Sequence, residues 1–113
     1  MKVRKVNDVA IVAPEGWLMG GSETVEFEQT MERVFQSGNR RLVIDLAGVE
    51  MMNSTAIGAL THCRARYAEA GGQVTLCNLD RRLDQIFVIT KLCLVFDSYA
   101  SEREAIEAFG QPA

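Results

Sequence analysis

Apolar residues in this chain fall into short continuous runs that alternate with longer stretches of helical spacing. Leu42-Val43-Ile44-Asp45-Leu46, opened by Arg40 and Arg41, predicts a strand buried on both faces of a sheet. Downstream, Ala56, Leu60, Cys63, Tyr67 and Ala70 recur at intervals of four and three, the period of one helix face. Asn53-Ser54-Thr55, three good capping residues, stand at the start of that helix, and Gly71-Gly72 at its end. A strand therefore leads into a loop whose hydroxyls sit at a helix N-terminus, at the sheet edge where open α/β sheets meet ligands and partners.

The flanking chain repeats the alternation. Val3 to Val6 and Val9 to Ala13 predict two strands joined through the turn pair Asn7-Asp8, the second stopped by Pro14. Glu15 to Gly21 reads as a loop, although Trp17, Leu18 and Met19 make it apolar for a connection. Ser22 is the expected cap of a helix with Glu23 and Glu26 in its first turn. Phe27, Met31, Val34 and Phe35 form its inner stripe, and Gly38-Asn39 close it. Residues 47 to 52 read as a connection. Gln73 to Cys77 predicts a strand, Asp80 starts a helix with Leu83, Ile86, Phe87 and Thr90 on one face, and Leu94-Val95-Phe96 predicts a last strand. Ser101 then caps a final helix through Ala105, Ile106 and Phe109. The order β-β-α-β-α-β-α-β-α implies an α/β fold. We expect one domain over residues 1–113, with a mostly parallel central sheet, one antiparallel hairpin strand, and helices largely on one face.

Composition narrows what such a domain does. A net charge of −3 and a pI near 5.1 provide no basic field for nucleic acid or an anionic membrane. No apolar run approaches the roughly 20 residues of a membrane span, and no signal-peptide core opens the chain, so a cytoplasmic protein is expected. Cys63, Cys77 and Cys93 lie in apolar patterns and read as reduced, buried, small hydrophobes. With no Cys-x-x-Cys pair and His62 as the lone histidine, nothing argues for a metal, and nothing argues for a cofactor.

Enzyme chemistry finds little support. Ser54 and His62 are eight residues apart on one predicted helix, about 12 Å along its axis, too far for a nucleophile and its base. Gly20-Gly21 and Gly71-Gly72 belong to no phosphate-loop pattern. Glu23, Glu26 and Glu32 read as a solvated helix face, as do Glu102, Glu104 and Glu107. Asn53-Ser54-Thr55 has two readings. The three residues are helix caps and no more, or Ser54 accepts a phosphoryl group from a separate kinase. A phosphate there meets free amides and the positive end of the helix dipole, and turns a neutral surface into one carrying about −1.5 to −2.

The stretch Asp45-Leu46-x-x-Val49-x-x-Met52-Asn53-Ser54-Thr55-Ala56-Ile57-Gly58-x-Leu60 resembles the signature of STAS domains of the bacterial anti-sigma-factor antagonist type. Gly71-Gly72-Gln73-Val74, Leu83-x-x-Ile86-Phe87-x-Ile89-Thr90-x-Leu92 and Phe96-x-x-Tyr99-x-Ser101-x-x-Glu104-Ala105 extend the resemblance over nearly the whole chain. The resemblance implies a non-enzymatic binding module. Unphosphorylated, it captures an anti-sigma factor that is also a serine kinase and so frees a sigma factor. Phosphorylation at the motif position of Ser54 disables it, and a serine phosphatase resets it, the ATP belonging to the kinase. Trp17, Met19, Gly20, Gly21, Ser22, Met51, Met52, Asn53, Thr55 and Ile57 are the expected partner-binding residues around Ser54, and a homodimer stays open. Asn53 stands where the pattern has Asp, Ala56 where it has Gly, and Met19 where an acid is frequent. The Asn53 and Met19 departures suit the alternative of a constitutive STAS scaffold or a subunit of a larger signalling or lipid-transport complex.

Overall fold

Residues 1–109 are described by a computed structural model, and the expected domain end at Ala113 lies outside the described residues. The elements are β1 (Lys2–Val6), β2 (Val9–Ala13), β3 (Glu15–Leu18), α1 (Ser22–Gln36), β4 (Arg41–Asp45), β5 (Gly48–Met52), α2 (Ser54–Glu69), β6 (Gln73–Cys77), α3 (Arg81–Ile89), a 3₁₀ turn (Leu92–Leu94), β7 (Asp97–Tyr99) and α4 (Glu102–Phe109). Val6 pairs with Val9 across Asn7-Asp8, with Asn7 in the left-handed region at φ 56° that a tight hairpin needs.

Five strands form one sheet in the order β1-β2-β4-β6-β7, antiparallel only at β1-β2. Alternation along the central strands sorts their side chains to two faces. Ala10, Val12, Leu42, Ile44, Val74 and Leu76 meet α1, α2 and α3 through Phe27, Leu60 and Leu83, while Val9, Ile11, Val43 and Cys77 meet Ala105 and Phe109 of α4. Three helices thus cover one face and one the other. Burying each large apolar side chain contributes about 1.5–3 kcal/mol, which is why this run of residues dictates a two-sided sheet.

Four local expectations are corrected. Glu15 to Leu18 is a strand rather than a loop, paired in parallel with β5, which replaces the expected connection. The last strand is Asp97–Tyr99, not Leu94 to Phe96; only Phe96 of that run is buried, and Leu94 is 78% exposed. Pairing of Thr75, Leu76 and Cys77 with Asp97, Ser98 and Tyr99 decides the register, not hydrophobicity. Helix α1 is capped at Gly21 instead of Ser22, and Thr24 Oγ1 accepts from Gly20 N–H at 2.9 Å. Cys63 and Cys77 are buried as expected, but Cys93 is exposed.

Candidate functional site

The start of α2 is built by Asn53. Its extended backbone (φ −101°, ψ −176°) turns the chain into the helix, and its Oδ1 accepts from Ala56 N–H at 3.1 Å. Asn53 N–H donates to Leu18 O at 3.1 Å, and Ile57 N–H to Asn53 O at 3.0 Å. A helix start leaves its first amides without intrahelical acceptors, and here Asn53 takes the third. Those of Ser54 and Thr55 are left without an acceptor among the described residues, and both residues are exposed. No acidic side chain stands in the first turn of this 16-residue helix. The arrangement is one that receives an anion: free N–H groups, the positive end of the dipole, and no carboxylate in that turn to repel it.

The β3-β5 ribbon brings the other residues around Ser54. Trp17 is paired with Met51 and Leu18 with Met52, so the segment after β3 passes directly over the α2 start. Gly20 adopts φ +89°, which suits glycine, and passes beside Thr55, where a Cβ built on it would stand in ordinary contact at 3.6 Å. Trp17 (53%) and Met19 (47%) are exposed, Gly20, Gly21 and Ser22 lie beside them on the surface, and Met51, Asn53 and Ile57 are half-buried. Met52 differs. It is 3% exposed and sits in the core, so its side chain supports the surface from below and presents nothing to a partner.

Two sets of contacts near the site escaped the sequence reading. Asp45, at the end of β4, accepts from Ala47 N–H (2.9 Å) and Asn78 Nδ2 (3.0 Å), which fixes the turn into β5. Arg82 reaches Glu50 O at 3.4 Å and ties α3 to β5. The Asn78 and Arg82 contacts carry no short-range signal, because each joins residues distant in sequence. His62 is exposed on α2, on the rim of a groove of about 500 Å³ between α1 and α2. In that groove Cys63 lies 7% exposed, and burial pushes its thiol up to about 12, with the Glu32 carboxylate adding to the effect. A thiol held so firmly protonated is no nucleophile.

The STAS domain family model matches residues 1–105. The chain belongs to the STAS domain family. Comparison with curated proteins finds no match. Solved structures share this STAS fold at low identity. A proposed anti-sigma factor antagonist from Thermotoga maritima is 20% identical, with a TM-score of 0.90 over 97% of this chain and 94% of that one. An anti-sigma-factor antagonist domain protein from Planctomyces limnophilus is 23% identical, with a TM-score of 0.85 over 97% of both. The Bacillus cell-fate determinant SpoIIAA in its phosphorylated form is 14% identical, with a TM-score of 0.75 over 96% of this chain and 97% of that one.

Proposed function

We propose that this STAS domain, spanning residues 1–113, is an anti-sigma-factor antagonist whose docking surface is switched at Ser54. In this reading the unmodified chain binds an anti-sigma factor that is also a serine kinase and releases a sigma factor. The kinase supplies ATP and phosphorylates Ser54, a serine phosphatase reverses the step, and the whole cycle runs in the cytoplasm with no catalysis by this chain. One observation supports the reading most. Ser54 is exposed at the first position of α2, beside two amides left open by the Asn53 cap, with exposed Trp17 and Met19 on the adjoining β3-β5 ribbon.

A phosphate there places about −1.5 to −2 charges next to a surface rich in Trp17, Met19, Met51 and Ile57. The helix start tolerates that charge, whereas a partner resting on the same apolar surface must desolvate it. Structure is kept and binding is lost. The solved relative recorded in a phosphorylated form is consistent with a fold that carries phosphate, though it is a different protein. The test is titration of the chain and of Ser54→Asp into the kinase encoded nearest to it. Tight binding by the unmodified chain and its loss in Ser54→Asp support the proposal; equal binding by both refutes it.

Asn53 and Met19 favour a second reading, constitutive binding as a scaffold or complex subunit. Asn53 spends its side chain on the cap and brings no negative charge beside the hydroxyl. A partner retained regardless of the state of Ser54 would select this reading.

A further inference from the structure

The groove between α1 and α2 shares only Thr55 with the surface proposed above. Its volume of about 500 Å³ falls within the roughly 300–1,000 Å³ typical of small-molecule sites. Met31, Ala59, Cys63 and Tyr67 form a buried floor, and Glu28, Glu32, His62 and Arg66 stand around it. The charges are not balanced. Glu32 is paired with Arg66 at 3.0 Å and accepts from Gln36 Nε2 at 2.9 Å, and these contacts, Gln36 first, hold its carboxyl below the usual range. Glu28, one turn earlier on the same helix, has no such partner among the described residues.

Strands β2, β4 and β6 are parallel, so α1 and α2 run the same way. Glu28 therefore lies towards the Thr55-Gly58 end of the groove, and Phe35 towards the Tyr67 end, where the Arg40 and Arg66 guanidinia stack on its ring at 4.5 and 4.8 Å. Glu28 on α1 supplies the one lining carboxylate without a partner among the described residues, the middle is apolar, and the far end is occupied by cations. We propose that this groove is a binding site for a small amphiphilic amine, its apolar or aromatic body on Met31, Ala59 and Cys63 and its ammonium group against Glu28. An anionic ligand of the same shape meets the unpaired carboxylate and is disfavoured. The proposal is independent of Ser54, since it concerns the isolated chain alone.

The test uses tryptamine as probe and indole-3-acetate as its anionic counterpart, followed by amide NMR shifts in the isolated chain. Tryptamine is expected to bind with a dissociation constant on the order of 1 mM, as suits a fragment of its size, shifting the amides of Ala59, His62 and Cys63. Indole-3-acetate is expected to shift none of them at the same concentration. Gly58→Phe should abolish the shifts, since a Cβ at Gly58 meets nothing within 4 Å and a ring placed there enters the groove. Glu28→Gln, a surface change that leaves packing untouched, should weaken tryptamine about three- to fivefold. Absence of shifts at tens of millimolar, equal binding of the two indoles, or unchanged affinity in Glu28→Gln would overturn the proposal.

Discussion

Replacing Ser54 by Asp tests whether the α2 start accepts a negative charge without cost to the fold. The carboxylate lands at the first position of a 16-residue helix whose first turn holds no acid, beside the amides of Ser54 and Thr55 that Asn53 leaves open. An anion at such a place contributes about 0.3–1 kcal/mol at low ionic strength. For a chain of 113 residues, about 0.5 kcal/mol corresponds to a rise in Tm of roughly 2–3 °C. The Debye length falls from about 10 Å at 0.1 M salt to about 3 Å at 1 M, so the gain should shrink by at least half over that range. Ser54→Asn, similar in size but uncharged, should leave Tm within about 1 °C of the parent. Calorimetric melts of the three proteins at both salt concentrations measure this directly. A loss exceeding about 1 kcal/mol in Ser54→Asp at low salt, or a gain indifferent to salt, refutes the electrostatic argument.

Further predictions concern the residues around Ser54 and the fold that holds it. Asn53→Ala removes the acceptor of Ala56 N–H and should cost about 1 kcal/mol in denaturant melts, with Asn53→Asp recovering it. Gly58→Ala should stabilise by about 1 kcal/mol, because its Cβ enters open space on a helix. Gly72→Ala should destabilise by more than that, because its Cβ would lie 2.5 Å from Arg40 O. Trp17→Ala should leave Tm nearly unchanged, since the side chain is 53% exposed, yet weaken a partner seated on it by about 30-fold, the loss of a 2 kcal/mol hot spot. Alkaline melts follow from Cys63 and Cys77, whose burial pushes each thiol from 9.0 up to about 12. Above pH 9 the unfolded chain releases protons that the folded chain keeps, so unfolding is favoured as pH rises. Stability should fall between pH 9 and 12 by up to about 1.4 kcal/mol per unit for each thiol, with a flat profile below pH 8. Cys63→Ala should remove one thiol's share of the slope.

The sheet was legible wherever burial is two-sided. Leu42 to Leu46, Val9 to Ala13 and the Ala56-Leu60-Cys63-Tyr67 stripe carry their positions in their own chemistry, because each must bury apolar surface in a fixed period. Strands β3 and β5 carried no such signal. Glu15–Leu18 has only Leu18 fully buried, and its pairing with Gly48–Met52 joins residues about thirty positions apart, so neither half announces the other. Strand β7 was displaced for a related reason: Asp97-Ser98-Tyr99 is a polar edge strand held by its backbone, while Leu94 and Val95 beside it are apolar and exposed. The same exposure explains Cys93.

At the candidate site, the capping chemistry of Asn53 and the exposure of Ser54 could be read from residue type and position. The composition of the surrounding surface could not be read to the same depth. Met51 and Met52 look alike in sequence, but alternation along β5 sends one outward and buries the other at 3%. The hydrogen bond from Asn53 N–H to Leu18 O and the passage of Gly20 over Thr55 depend on the unforeseen ribbon. The α1-α2 groove was equally hidden, since Glu28 and Glu32 resemble any solvated acidic face until α2 supplies Arg66 and His62 across from them.

The central claim is that the charge state of one hydroxyl decides whether a docking surface is usable. Incubating the chain with ATP and the serine kinase encoded nearest to it, then measuring binding of the purified modified and unmodified forms to that kinase, tests it most directly. The account predicts phosphate on Ser54 alone, none on Ser54→Ala, and affinity lowered by two orders of magnitude or more on modification. Phosphate on another residue, or equal affinity of the two forms, would contradict it.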